Sequence, residues 1–196
     1  MTISNECIQI FKKAIDDYHV FDSVDQELKN PFSDNEFLKK NIYKKSWIDT
    51  VQWHLEDIIR KPTIDPSEAL HIKRRIDKSN QERTDMVEII DEYFFNKFSN
   101  VKITEDCNIN TETPAWAIDR LSILELKIFH MDVEANRSSA DEKHRLSCIS
   151  KLEILKAQRK NLSKAIDQLL DNISNGKTMA LTYNCLLYTS DAADES

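Results

Sequence analysis

The sequence predicts an all-α fold: an antiparallel bundle of four long helices, paired as two related hairpins, with a short helix ahead of them. Three observations carry this. First, 196 residues include one glycine and four prolines, too few for the tight turns of a sheet protein. Second, apolar residues recur with helical period along most of the chain. Third, S-W-I-D-T-V-Q-W-H-L-E-D-I-I-R (Ser46 to Arg60) is echoed by S-I-L-E-L-K-I-F-H-M-D, 76 residues on and without gaps. The offset sets Ser46 on Ser122, Asp49 on Glu125, Trp53 on Phe129 and His54 on His130, and further along it sets Arg83 on Arg159 and Asp91 on Asp167. Helical periodicity would align apolar positions by itself, so the polar matches are the informative ones.

The elements follow in order. Ile3, Cys7, Phe11, Ala14, Ile15 and Tyr18 form one stripe of an N-terminal helix. Residues 21–31 are polar and read as a linker. Ser33 with Glu36 is a capping box, and the helix it starts runs through Phe37, Tyr43, Ile48, Val51, Leu55 and Ile58 until Pro62 stops it. Asp65-Pro66 opens the next helix, with proline where its missing N–H costs nothing. Its stripe is Ile72, Ile76, Ser79, Arg83, Met86, Ile90, Phe94 and Phe98. Residues 100–112 read as a loop. Thr113-Pro114 opens a helix burying Leu121, Leu124, Ile128 and Met131, and Ser139 with Glu142 starts the last, whose stripe includes Ile149, Leu152, Leu155, Arg159, Leu162, Ile166, Leu169 and Ile173. Asn175-Gly176 ends it as a C-cap pair. The resulting division is residues 1–32 (helix and linker), 33–178 (bundle, with hairpins 33–98 and 113–175) and a tail at 179–196. From Cys185 the tail reads C-L-L-Y-T-S-D-A-A-D-E-S, which resembles a translated sequencing adapter, so 185–196 is set apart as non-native and the natural C-terminus is expected beyond Asn184.

Composition excludes several function classes. The formal charge is -7, or -4 without Asp191, Asp194 and Glu195, against the Lys/Arg excess that phosphate-backbone binding requires. A single glycine leaves no phosphate-cradling loop and no dinucleotide fingerprint. Four cysteines without paired spacing indicate a reducing cytoplasm rather than a disulfide framework. No run approaches the ~18 apolar residues of a membrane span.

Polar residues on apolar stripes are the candidate functional groups. Arg83 and Arg159 sit where leucines are expected, and an inward guanidinium needs an acid or a route to water. In a hairpin turning near residue 64, Arg83 lies level with Lys45 to Asp49, and in the second hairpin Arg159 comes within reach of Asp119 and Glu125. The leading reading is register-fixing ion pairs; the alternative is a pocket for an anionic ligand. His54 and His130 lie at stripe edges. A di-metal bundle wants Glu-x-x-His twice on facing helices. The chain has Glu68-x-x-His71, Asp141-x-x-His144 and Asp16-x-x-His19; the first two fall in opening helical turns, and neither His54 nor His130 has an acid three residues before it. Neither a metal nor a cofactor is therefore expected. The basic runs Lys39-Lys40 to Lys44-Lys45 and Lys73 to Arg75 read as solvated faces, and Trp47, Trp53 and Trp116 as core or core-edge anchors.

Three ordered blocks, W-H-L-E-D-I-I-R (Trp53 to Arg60), I-D-K-S-N-Q-E-R-T-D-M-V-E-I-I-D (Ile76 to Asp91) and T-P-A-W-A-I-D-R-L-S-I-L-E-L-K-I-F-H-M (Thr113 to Met131), resemble those of a bacterial family, the domain-of-unknown-function family forty-two fifty-four, over residues 35–184. The resemblance implies no activity. It singles out Trp53, His54, Glu56, Asp57, Arg60, Asn80, Arg83, Asp119, Arg120, Lys127 and His130, and it implies an association with bacterial envelope-glycan synthesis. The functional expectation is a cytoplasmic helical binding or assembly module. Its alternatives are a small enzyme or anion-binding protein using a His/Arg/acid pocket, or a metal-binding bundle. The partner is expected to be a protein chain or a small anionic ligand, with nucleic acid and membrane excluded. If the module reading holds, the polar groups pair off with one another and no cleft reaches them; if the pocket reading holds, at least two converge on an open cavity with a carboxylate within ~3 Å of a histidine nitrogen.

Overall fold

The structure, a computed structural model that describes residues 1–181, is all-α as predicted. The elements are α1 (Ile3–His19), a single 3-10 turn (Asp34–Glu36), α2 (Phe37–Ile59), α3 (Pro66–Phe98), β1 (Asn108–Asn110), α4 (Pro114–Asn136), α5 (Glu142–Ser174) and β2 (Thr178–Ala180). The adapter-like stretch and the expected natural C-terminus lie outside the described residues. Among those described, no helix is long and apolar enough to cross a membrane.

The two hairpins have matching dimensions. α2 and α4 are each 23 residues long, and α3 and α5 are each 33. The longer helices begin, cap and end at the same 76-residue offset. Asp65 caps α3 by accepting from the Ser67 and Glu68 amides, and Asp141 caps α5 by accepting from the His144 amide. The second cap is therefore Asp141, not Ser139: an aspartate beside the first helical residue reaches the free amides directly.

A second matched pair of acids locks the helices together. Asp91 on α3 accepts from the Thr113 hydroxyl at 2.7 Å and the Ala115 amide at 3.2 Å, at the start of α4. Asp167 on α5 accepts from the Ser4 hydroxyl at 2.7 Å and the Ser4 amide at 3.1 Å, at the start of α1. Each long helix thus places a carboxylate on the positive end of another helix. Burial raises the Asp91 carboxyl above the usual carboxylate range, and its two hydrogen bonds only partly offset this.

This arrangement makes α1 part of the bundle. Its stripe of Cys7, Ile10, Phe11, Ala14, Ile15 and Tyr18 is buried, and all of these but Ile15 belong to one core cluster with Tyr43, Trp47, Leu121 and Ile166. Smaller clusters fill the far end of each hairpin, Leu55 with Ile72 and Ile76, and Leu124 with Ile128, Cys148 and Leu152.

Several expectations are corrected. The linker after α1 is not merely polar: Leu28 and Phe32 pack on the core. The loop before α4 contains β1, which pairs in parallel with β2, so residues 179 and 180 are strand and not tail. Gly176, in the left-handed region at φ 68°, allows this closure. A Cβ there would stand 2.1 Å from the Lys102 carbonyl oxygen. Trp116 is 40% exposed and Ile149 41%, so neither is a core anchor.

Candidate functional site

At the middle of the bundle four charges meet. Lys45, on α2, sends its ammonium to Asp49 Oδ2 at 2.5 Å and Asp119 Oδ1 at 2.6 Å. Arg83, on α3, approaches the same carboxylates, its Nε 2.7 Å from Asp49 Oδ1 and its guanidinium 3.0 Å from Asp119 Oδ1. The Ser122 hydroxyl, on α4, donates to Asp49 Oδ2 at 2.6 Å. Two cations and two anions cancel, and each carboxylate faces two cations. Burial alone would raise the Asp119 carboxyl, but Lys45 and Arg83 outweigh it and hold it below its ordinary value. Burial would likewise pull the Arg83 guanidinium down, and Asp49 and Asp119 outweigh that. Arg83 therefore meets Asp49 as the hairpin register requires.

Lys45 is the correction. The sequence places it on a solvated basic face; in the structure its side chain is 1% exposed. Nothing in the run Lys44-Lys45 separates the two lysines except helical phase, and phase alone puts Lys45 on the Asp49 side, one turn before it.

The second hairpin carries a weaker copy. Arg159 reaches Glu125 at 3.4 Å, while Asp119 turns to the first hairpin. Burial raises the Glu125 carboxyl, and Arg159 only partly counters this. The remaining candidates do not join either group. Arg60 pairs with Glu56 and Asp57 on the surface, Asn80 accepts from Gln52 at 2.7 Å, Arg120 pairs with Glu112 at 2.7 Å, and Lys127 is exposed.

His54 and His130 do come together, and they bring a residue from outside the repeat. The rings of His19 (last residue of α1), His54 (α2) and His130 (α4) have centroids 5.2, 5.4 and 5.6 Å apart. One nitrogen of each lies within 4.8 Å of the others. Aromatic walls fix the rings: Tyr18 stacks on His54 at 5.1 Å, Trp53 on His130 at 4.7 Å, and Phe129 lies 4.3 Å from His19. Burial lowers both His54 and His130, the latter to about 4, with neighbouring imidazoles adding to the effect. His54 and His130 are therefore held in their neutral form at pH 7. The Asp22 carboxylate stands 3.7 Å from His54 Nε2 on the solvent side. Asp22 is the only non-glycine residue with positive φ among the described residues, at 48°. Sequence reasoning named His19 only for its spacing from Asp16 and missed Asp22, because helical spacing cannot report contacts between three different helices.

Two grooves border the ion-paired groups, one at Asp119 and one at Arg159. One, of about 730 Å³, runs between α4 and α5 past Trp116, Ile123 and Leu155, with Arg120 and Lys127 on its rim, and reaches Asp119. The other, of about 960 Å³, lies between α1 and α5 beside Arg159.

The chain belongs to the family described as Protein of unknown function (DUF4254), whose profile matches residues 39–181. No curated protein and no solved structure matches the chain.

Proposed function

We propose that the chain is a helical binding or assembly module acting in the cytoplasm, with a protein as its partner, in the service of envelope-glycan synthesis as the family resemblance implies. The observation that carries the reading is the central ion network. The cations that would hold an anionic ligand, Lys45 and Arg83, are each already engaged by two carboxylates, and Arg159 is engaged by Glu125. A buried network with no net charge fixes the register of helices and offers an incoming anion no free cation. The groove between α4 and α5 supplies the contact surface, since half-exposed Trp116 is the kind of amphipathic aromatic that anchors interfaces.

The test combines two measurements. The wild-type chain and Trp116→Ala are each purified from the native host under mild conditions, and co-purifying chains are identified by mass spectrometry. The reading expects a partner chain that wild type retains and Trp116→Ala loses, with Tm unchanged. In parallel, wild type is heated with phosphate, citrate and nucleotide sugars. A saturable rise in Tm that Arg159→Gln abolishes would establish the anion-pocket alternative and overturn the module reading.

A further inference from the structure

We propose that His19, His54 and His130 form a three-histidine site for a divalent transition metal ion of the zinc class, with Asp22 beside the open fourth position. The site is independent of the partner-binding reading.

Only five histidines occur in the chain, and three converge from three helices that are distant in sequence. A hydrophobic core gains nothing from such a meeting: three rings of phenylalanine or leucine would fill the space without polar nitrogens needing partners. The nitrogens here are arranged as donors. His19 Nδ1 lies 2.7 Å from the Ile15 carbonyl, and a carbonyl only accepts. Nδ1 therefore carries the hydrogen, and Nε2 presents its lone pair to the cluster. Orienting an imidazole through a backbone carbonyl in this way is the usual device behind a metal-bound histidine. His54 Nε2 stands 3.2 Å from His19 Nε2. The single hydrogen shared by these two nitrogens occupies the place a cation would take. His130 Nε2 is buried and has no hydrogen-bond partner, a state that leaves its desolvation uncompensated. A metal ion satisfies all three nitrogens together.

The dimensions fit. With Zn–N bonds of about 2.0–2.1 Å, tetrahedral ligand nitrogens lie about 3.3 Å apart. The His19–His54 separation is already 3.2 Å, and the set closes within 4.8 Å, so His130 needs to shift by up to about 1.5 Å to reach the tetrahedral spacing. Three imidazole nitrogens with a neighbouring carboxylate suit zinc and its neighbours in the first transition series rather than calcium or magnesium, which take oxygen donors. Asp22 is 59% exposed, so the fourth side faces solvent and gives an entry path. Its left-handed backbone, uncommon for a residue with a side chain, turns the chain directly after α1 and holds the carboxylate there. The expectation that excluded a metal considered Glu-x-x-His pairs along one helix; this set has one ligand on each of three helices, and no such spacing applies.

The experiment uses the full chain, stripped with a chelator and dialysed, then titrated with Zn²⁺ by calorimetry and with Co²⁺ by visible absorption. One equivalent of zinc binds, and cobalt gives the d–d bands of a four- or five-coordinate nitrogen site. His130→Ala weakens zinc binding by about 100-fold or more, and Asp22→Asn by about 10-fold. A His71→Ala/His144→Ala double variant binds as wild type. Should His130→Ala fail to fold, the histidine ring nitrogens of the wild type are followed by ¹⁵N NMR, where zinc shifts three rings of five. No saturable uptake at about 100 μM free zinc overturns the proposal. So does loss of the equivalent in the His71/His144 variant, or its full retention in folded His130→Ala. An unchanged Asp22→Asn affinity would overturn the role of Asp22.

Discussion

Replacing Lys45 by methionine puts the central network to its hardest test. Methionine keeps most of the volume of the lysine stem and stays compatible with the helix, so packing and propensity change little. What changes is charge. Asp49 and Asp119 would share Arg83 alone, leaving one uncompensated anion whose side chains are 1% and 13% exposed. Stranding a buried charge costs about 3–5 kcal/mol, a large part of the ~5–15 kcal/mol that holds a domain folded. For a chain of this size that is a fall in Tm of roughly 6–20 °C. Urea unfolding followed by circular dichroism reads it as a lower midpoint at constant slope. The double variant Lys45→Met/Asp49→Asn restores neutrality around Arg83 and Asp119, so it is more stable than Lys45→Met alone. The deficit of the single variant also shrinks on acidification, because its stranded carboxylate takes up a proton that the unfolded chain, at ordinary carboxylate pKa, still lacks. A Lys45→Met chain within about 1 kcal/mol of wild type, or a double variant less stable than the single one, would refute the claim that these charges are buried and mutually dependent.

Other outcomes follow from the same geometry. Arg159→Leu costs less than Arg83→Leu in urea unfolding, because Glu125 is already raised by burial and can neutralise itself when its partner goes. Asp119 is held below its ordinary value, so its contribution is complete above about pH 4 and is lost as pH falls through its lowered folded pKa; Asp119→Asn removes that part of the acid limb in a stability–pH profile. Asp91→Ala and Asp167→Ala each cost about 1–2 kcal/mol by removing the acid that caps a neighbouring helix, and amide exchange quickens first at the start of α4 in one and of α1 in the other. Gly176→Ala destabilises by at least ~1 kcal/mol, since its φ of 68° and the Lys102 carbonyl 2.1 Å from a built Cβ both oppose a side chain.

The helices were legible because their signals are local. Capping residues, prolines at first turns and a 3.6-residue apolar period sit in consecutive residues, and the hairpin register that follows from them brought Arg83 to Asp49. What stayed hidden needs distance information. Lys45 differs from Lys44 only in phase, yet one is sealed and the other is not. β1 and β2 are three residues each and lack alternation long enough to read. Trp116 has the composition of an anchor, but α5 does not cover it. The histidine site joins α1 to both hairpins, and no pattern within one helix encodes that meeting.

The 76-residue offset between the hairpins also bears on where the two unusual sites fall. If each hairpin were an unmodified copy, the ion pairs Arg83–Asp49 and Arg159–Glu125 would stand alone, one per half. The offset shows the departures: Lys45 corresponds to Leu121, and Asp119 to Tyr43. Each half therefore carries one extra charge of opposite sign that its twin lacks, and these two meet at 2.6 Å across the seam. The one positive charge left over in the first half, where Lys45 and Arg83 share Asp49, or the negative charge of Asp119 left over in the second, would oppose folding of that half alone; together they favour the assembled pair. The histidines follow a related logic. A histidine on the seam-facing side of a repeated helix appears twice when the halves pack, as His54 and His130 do, and a third donor from α1 turns that pair into a three-nitrogen set. Both sites thus arise at the boundary between copies, where one substitution on either side changes what a symmetric junction can hold.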